Sequence, residues 1–425
     1  MNTTLAHTAA FALFAPRRLA AAIGLAALCS ATLASTALAS PDPNDWDAVL
    51  EQADGQTVYW NAWGGDSRTN RYIDWVDGRM QERFGVEVEH VKLEDTGSAV
   101  ARVLAEKQAG NDDDGSVDLI WINGENFAAM RKHELLFGPF AESLPHFDLT
   151  HPADNPEVIT DFTLPTEGFE SPWGRAQITF YYDSRAASLA GQSEPPGSMA
   201  ELLDWARENP GRFTYPRIPD FTGSTFLKQA LIELTEQDDA LYQPVSESDF
   251  AAVTAPLWDY LDALHPHLWR EGRSFPESGP ALRALMSDGE LDLAFSFYPT
   301  DAAVAVREYQ LPQSVRSYVL DGGTLGNVHF VAIPYNSPHK AGAMALANFL
   351  LSPVAQAKKQ SLDYWGDRTV LDMARLSDEQ QALFEAQGDN PALPPAGAFD
   401  KTLAEPHPSW MTALQDAWLE RYGVN

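Results

Sequence analysis

The sequence contains little cysteine, few basic residues and no long apolar run after its first forty residues. Its 425 residues include 1 cysteine and 29 lysines and arginines, against 60 acidic residues. The net charge of −31 argues against nucleic acid and anionic membrane as partners, because an acidic surface repels both. No stretch of the mature chain reaches the roughly 18 uninterrupted apolar residues of a membrane-spanning helix.

The N-terminus has the three parts of a secretory signal peptide. Arg17 and Arg18 supply the positive region, residues 19–28 the short apolar core, and Ala37-Leu38-Ala39 a small-x-small cleavage site. We expect export by the general secretory route, with the twin-arginine route as the alternative, cleavage near Ala39 and a periplasmic mature protein. Because Cys29 leaves with the signal peptide, the mature protein has no disulfide and must be stabilised by its core alone.

An α/β unit opens the mature sequence. The apolar and polar spacing predicts strands over 58–63, 86–93 and 117–122, alternating with helices over 68–84 and 99–109. This alternation is typical of a parallel sheet built from right-handed crossovers. Polar and glycine residues follow the first and third strands, and open α/β sheets bind ligands at such strand ends.

The length of the mature chain exceeds one typical hydrophobic core, so we predict two domains. The first domain is predicted to be discontinuous, over 40–176 and 298–425, and the second to be inserted over 177–297. Two crossing strands, Gln177–Tyr182 and Leu291–Phe297, would join them. A double crossing of this kind makes a hinge beside a cleft.

Four motifs in this order carry a family resemblance. They are Val-Tyr-Trp-Asn-Ala-Trp-Gly-Gly at 58–65, Val-Asp-Leu-Ile-Trp-Ile-Asn-Gly-Glu-Asn-Phe at 117–127, Phe-Thr-Gly-Ser-Thr-Phe at 221–226 and Asp-Gly-Glu-Leu-Asp-Leu-Ala-Phe-Ser at 288–296. Together with the signal peptide, they resemble the periplasmic solute-binding proteins of ABC importers, with type II topology and most similarity to the YnjB-type subgroup. The resemblance implies capture of a small molecule by domain closure and its delivery to an ABC permease in the inner membrane, without chemistry on the ligand.

Two helix starts are candidate binding elements, because free backbone amides and the helix dipole attract anions. Gly65 and Asp66 form the start after the first strand, and Gly223, Ser224 and Thr225 form the other, with Asp220 or Thr222 as its cap. The alternative interpretation of the second motif is an ordinary capped helix.

Aromatic and charged residues near predicted strand ends complete the candidate site. We expect Trp60 and Trp121 in the core and Trp63 in the cleft. The further candidates are Asn61, Asn123, Glu125, Trp173, Arg175, Arg217, Tyr298, Asp301 and Tyr364. A ring would suit a sugar, a heteroaromatic group or an organic cation, and the arginines an anion. A zwitterionic or phosphorylated organic molecule would satisfy both groups.

Enzyme signatures are mostly missing. The sequence has no Gly-x-Ser-x-Gly elbow, no His-Glu-x-x-His motif and no Walker loop. We therefore expect no catalytic residues, no cofactor and no metal, and a protein that acts as a monomer. A secreted carbohydrate hydrolase or lyase that uses paired carboxylates is the alternative, since 60 acidic residues form many accidental pairs.

Overall fold

The computed structural model describes residues 40–189, 194–384 and 390–423. The predicted signal peptide, its cleavage site and Cys29 lie outside these residues. Within the described ranges, no helix is both long and apolar enough to cross a membrane.

Helices and strands alternate at the beginning of the described chain. They are α1 (Trp46–Ala53), β1 (Thr57–Trp63), α2 (Ser67–Phe84), β2 (Glu87–Leu93), α3 (Gly97–Gln108), β3 (Leu119–Ile122) and α4 (Glu125–Lys132). Gly85 ends α2 with φ at 65°, a left-handed conformation that a residue without Cβ adopts easily. The predicted strand and helix order of this region is confirmed.

Strands of three different sheets and a second group of helices follow. They are β4 (Thr160–Asp161), β5 (Leu164–Pro165), β6 (Glu170–Gln177), β7 (Thr179–Asp183), α5 (Met199–Glu208), α6 (Phe221–Leu234), α7 (Phe250–Leu264), α8 (Gly279–Ser287), β8 (Leu293–Ser296), α9 (Asp301–Arg307), β9 (Val315–Tyr318), β10 (Thr324–Ala332), α10 (Lys340–Leu350), α11 (Pro353–Gln360), α12 (Asp378–Gln381), β11 (Thr402–Leu403) and α13 (Pro408–Tyr422). The weakly periodic segment before β6 forms three short 3₁₀ helices and the short antiparallel pair of β4 and β5.

The larger sheet has the strand order β11, β10, β3, β1, β2, and β6 pairs with β10. β1 runs parallel to both β2 and β3, whereas β10 runs antiparallel to β3 and β6. Because β1 and β3 are parallel, their carboxyl ends lie at the same edge of the sheet. The segments 63–66 and 123–125 therefore leave the sheet side by side.

A separate antiparallel sheet has the order β8, β7, β9. The chain leaves the larger sheet between β6 and β7, within the first predicted crossing, and returns to it only at β10. The predicted return at Leu291–Phe297 contains β8, which is an edge strand of the smaller sheet and pairs with β7. An apolar run predicts a buried strand but does not identify the sheet. The next two strands, β9 and β10, likewise lie in different sheets.

Two hydrophobic cores accompany the two sheets. Trp60, Ile120 and Phe330 lie in the first core, and Phe180 and Phe295 in the second. We call the parts of the chain around them the first lobe and the second lobe. The second core also takes side chains from α9 and α13. The domain boundaries drawn from the sequence stay a prediction.

Candidate ligand-binding site

The loop after β1 turns sharply into α2. Asp66 caps this helix, since its Oδ1 accepts a hydrogen bond of 2.7 Å from the backbone nitrogen of Arg68. The ring of Trp63 covers Gly65 so closely that a Cβ there would lie 2.5 Å from Trp63 Cζ2. Asn61 is fully buried in β1, and its Oδ1 has no hydrogen-bond partner among the described residues. Trp63, Gly65 and Asp66 thus lie around a single turn at the carboxyl end of β1.

Four buried charged side chains join the two lobes beside this turn, and we call them the ion quartet. They are Asp66 and Arg68 from the first lobe, and Arg283 on α8 and Asp301 at the start of α9 from the second. Arg68 Nη2 lies 2.8 Å from Asp66 Oδ2 and 2.5 Å from Asp301 Oδ1. Arg283 contacts the same two carboxylates, at 3.2 Å for Asp66 and 2.5 Å for Asp301. The quartet is electrically neutral and closes into a ring.

The electrostatics of the quartet favour the charged forms. Burial alone would raise the pKa of Asp66, but the hydrogen bonds and charge of Arg68, with the charge of Arg283, outweigh burial and lower this pKa to about 2. Burial likewise opposes the charge of Arg68, whose pKa is nevertheless raised by Asp301 and Asp66. Tyr298 lies next to the quartet, because its carbonyl accepts a hydrogen bond of 3.0 Å from the nitrogen of Asp301.

A second contact between the lobes is rich in carboxyl groups. Asp161, fully buried, accepts a hydrogen bond of 2.6 Å from the backbone nitrogen of Gly124, directly before Glu125. The ring of Phe162 packs on Gly124, at a distance that leaves no room for a Cβ. On the side of the second lobe, Lys228 on α6 places its Nζ 4.5 Å from the centre of this ring and 2.6 Å from Glu405 Oε2.

We call Glu125, Asp161 and Glu170 the acidic cluster. Among the described residues, Asp161 Oδ1, Glu125 Oε2 and both carboxylate oxygens of Glu170 are buried without a hydrogen-bond partner. Burial raises the pKa of Glu125 to about 7, while the charge of Lys228 opposes that shift and the charges of Glu405 and Asp95 reinforce it. Burial also raises the pKa values of Asp161 and Glu170, which repel each other. These raised pKa values favour the protonated form of each carboxyl group in the cluster.

The second predicted helix start is a capped helix. Asp220 accepts hydrogen bonds of 2.9 and 3.1 Å from the backbone nitrogens of Thr222 and Gly223. The hydroxyl of Ser224 donates to the carbonyl of Asp220, and that of Thr225 to the carbonyl of Phe221. Burial raises the pKa of Asp220 to about 6. The amide of Gly223 is therefore already bound to the carboxylate of Asp220, and the amide of Ser224 donates to the backbone carbonyl of Asp220.

The remaining candidates take part in none of the hydrogen bonds and ion pairs described for the two contacts. Trp173 is fully buried in the first core, with its ring centre 4.9 Å from that of Trp121, so its predicted position in the cleft is wrong. The rings of Trp60, Trp121 and Trp365 surround it, which its place near a strand end did not reveal. Arg175 pairs with Glu157, and Arg217 is exposed. Asn123 is partly exposed directly after β3.

Tyr364 lies at a surface cavity of about 290 Å³. Trp75 and Lys358 also line this cavity, and Lys358 Nζ is 4.2 Å from the centre of the Tyr364 ring. None of the residues of the ion quartet or the acidic cluster lines it. Tyr364 therefore belongs to a different surface from the contacts between the lobes.

Sequence reasoning missed most partners in the two contacts. Arg68 stands two positions after the capping Asp66, and this spacing could have suggested the pair. Arg283 lies on an amphipathic helix and Lys228 inside an apolar one, where nothing in the pattern indicates a partner. Asp161 and Glu170 flank a segment of weak periodicity. Within the described residues, no group of three or more His, Cys, Asp or Glu side chains is arranged to hold a metal ion.

A family model described as bacterial extracellular solute-binding protein matches residues 75–394. The chain is also 45% identical over 385 residues to Protein YnjB of Escherichia coli strain K12, and the match covers 90% of this chain and 95% of that protein. The chain belongs to the bacterial extracellular solute-binding protein family. Its function is that of a solute-binding protein of an ABC transporter.

Solved structures support the same fold. A putative spermidine/putrescine ABC transporter from Listeria monocytogenes superposes with a TM-score of 0.61 at 14% identity, covering 86% of this chain and 98% of that chain. The periplasmic binding protein AfuA from Actinobacillus pleuropneumoniae, with exogenous fructose-6-phosphate bound, gives 0.59 at 14% identity and covers 87% and 99%. The fold is the two-domain, type II arrangement of periplasmic binding proteins. The alternative of a carbohydrate hydrolase finds no support in these comparisons.

Proposed function

We propose that this protein captures a charged small molecule between its two lobes, where the ion quartet joins them, and presents it to an ABC permease in the inner membrane. It acts in the periplasm as a monomer after signal-peptide cleavage near Ala39 and leaves the ligand chemically unchanged. The ligand-contacting residues are those at the two contacts between the lobes, with Trp63 and Tyr298 as neighbouring rings.

The observation that carries this proposal is the burial of the quartet. Its four side chains are at most 11% exposed, although they come from different lobes. Charges removed from water need partners, and separation of the lobes would return these four groups to water. A ligand with charged groups can take the place of one of these partners and thereby favour the closed state.

The related folds support a charged ligand without fixing its sign. The Listeria monocytogenes structure is described as a putative spermidine/putrescine transporter, which would handle a cation, whereas AfuA binds fructose-6-phosphate, an anion. The quartet offers two guanidinium groups to an anion and two carboxylates to a cation. A zwitterionic or phosphorylated organic molecule therefore fits this contact.

Small-angle X-ray scattering tests the proposal. Purified protein would be measured alone and with polyamines, sugar phosphates, amino acids and vitamins, and the radius of gyration should fall for the compound that binds. The compound recovered afterwards should have an unchanged mass. If no compound of any charge alters the shape or the thermal stability, or if the bound compound is converted, the proposal is contradicted.

A further inference from the structure

The acidic cluster contains more buried negative charge than its surroundings neutralise. Lys228 is bound to Glu405 at 2.6 Å, so the nearest ammonium group is already matched with a carboxylate. Arg131, whose positive charge lowers the pKa of Glu170, forms an ion pair with Glu167. Asp161 and Glu170 are 0% and 1% exposed, and three of their four carboxylate oxygens have no partner among the described residues. Such groups need a proton or a cation.

The rings beside the cluster already accommodate a cation. Lys228 Nζ lies 4.5 Å from the ring centre of Phe162 and 5.3 Å from that of Phe221, both within the range of cation–π attraction. Phe162 follows Asp161 directly and packs on Gly124, which precedes Glu125. The rings and the unpaired carboxylates therefore belong to one site, with walls from both lobes.

The chemistry of this site favours an organic cation over a metal ion. A hard metal ion requires several oxygen ligands converging on one point, and the described residues contain no such group of acidic and histidine side chains. Aromatic rings offer little to a hydrated metal ion, but they contact the methylene and ammonium groups of an amine well.

We propose that Glu125, Asp161 and the ring of Phe162 form the subsite for an organic ammonium group of the transported solute. Asp161 and Glu125 provide the charge, Phe162 covers the apolar part of the group, and Lys228 remains paired with Glu405 as the wall of the second lobe. This assignment rests on the proposed function, since it identifies the charge of the molecule that the two lobes enclose.

The test uses isothermal titration calorimetry with putrescine, spermidine and choline as ammonium probes, and fructose 6-phosphate and glucose as anionic and neutral probes. At least one ammonium probe should bind at neutral pH. Glu125→Gln and Asp161→Asn should each weaken its binding by at least about tenfold, because each removes a buried charge that faces the ligand. Glu51→Gln, which alters an exposed residue of α1, is the matched control and should bind as the wild type does.

A second readout separates a ligand site from a structural role. Each substitution in the cluster removes a buried carboxyl group that must be protonated or left unpaired when the protein folds without ligand, so the melting temperature of the unliganded protein at neutral pH should rise while the affinity falls. Higher stability with unchanged affinity for ammonium probes would overturn the proposal and leave protons as the partners of the cluster. Binding of the anionic or neutral probe alone, or of none of the five, would also overturn it. The proposed function itself fails if no small molecule of any charge induces closure, or if the bound compound is converted.

Discussion

Arg68 and Asp301 are separated by 233 positions in the sequence, yet Arg68 Nη2 lies 2.5 Å from Asp301 Oδ1 in the buried contact between the lobes. Arg68 belongs to the first turn of α2 and Asp301 to the first turn of α9, so each follows a strand of a different sheet. We propose that this ion pair, with Asp66 and Arg283, couples closure of the two lobes to binding of a charged solute.

Removal of Arg283 should open the protein. Arg283→Met leaves Asp66 and Asp301 to share Arg68, and breaking a buried ion pair from one side costs about 3 to 5 kcal/mol. We expect a larger radius of gyration for the unliganded variant in small-angle scattering. Arg79→Met is the control, because Arg79 forms an exposed pair with Glu82 outside the contact. Equal radii for Arg283→Met and the wild type would show that the quartet does not hold the lobes together.

Asp66 should contribute stability that is lost in acid. Its pKa lies at about 2 in the folded state, below the ordinary value of 3.8, so the contribution is fully present above pH 3.8 and disappears as pH falls through about 2. The difference corresponds to about 2 kcal/mol. Asp66→Asn retains a good helix cap but loses the charge, so chemical denaturation from neutral pH into acid should show a smaller loss for this variant. A parallel decline in both proteins would contradict the assignment.

Glu125 should have the opposite pH dependence. Its pKa is raised from 4.5 to about 7 in the folded state, so its contribution to stability is present below pH 4.5 and is lost as pH rises through about 7. The loss amounts to about 3 kcal/mol, and Asp161 and Glu170 act in the same direction. Urea denaturation across this range should show a smaller decline for Glu125→Gln than for the wild type. An unchanged pH profile would mean that Glu125 remains in contact with water.

Gly174 should tolerate no side chain. A Cβ at this position would overlap Nε2 of His329 and Oδ2 of Asp367, which are buried together with Lys359 beneath the tryptophans of the first core. We expect Gly174→Ala to lose at least about 2 kcal/mol of unfolding free energy. The control Gly78→Ala lies on the exposed face of α2 with nothing within 4 Å, and should gain about 0.5 to 1 kcal/mol. Similar melting temperatures for the two variants would contradict the packing described.

The sequence predicts local structure well where the pattern is regular. The strand after residue 57, the helix that Gly85 ends and the polar residues after β1 and β3 all follow from periodicity and turn chemistry. Asp66 and Asp301 were predicted as site residues because they follow strands, and the structure brings them together through Arg68 and Arg283. That these two carboxylates bind the ligand stays a prediction.

Pairing between distant segments could not be predicted. Nothing in the apolar run at Leu291–Phe297 indicates that β8 pairs with β7 in the smaller sheet, and nothing near Lys228 indicates Glu405. A carboxyl group such as that of Asp161 resembles a surface acid in the sequence, because its burial depends on Phe162 and on the second lobe. The predicted anion site at Gly223–Thr225 had the right helix start, but Asp220 already accepts hydrogen bonds from the amides of Gly223 and Ser224.

Native mass spectrometry of wild-type protein purified without unfolding would test most directly whether a charged solute is captured between the lobes. We expect the wild-type protein to carry a charged small molecule of defined mass. Asp301→Asn, which weakens the ion quartet, should lose this molecule. The released molecule should contain a cationic nitrogen if the acidic cluster is its subsite. Equal retention of the molecule by the variant would contradict capture between the lobes at this contact.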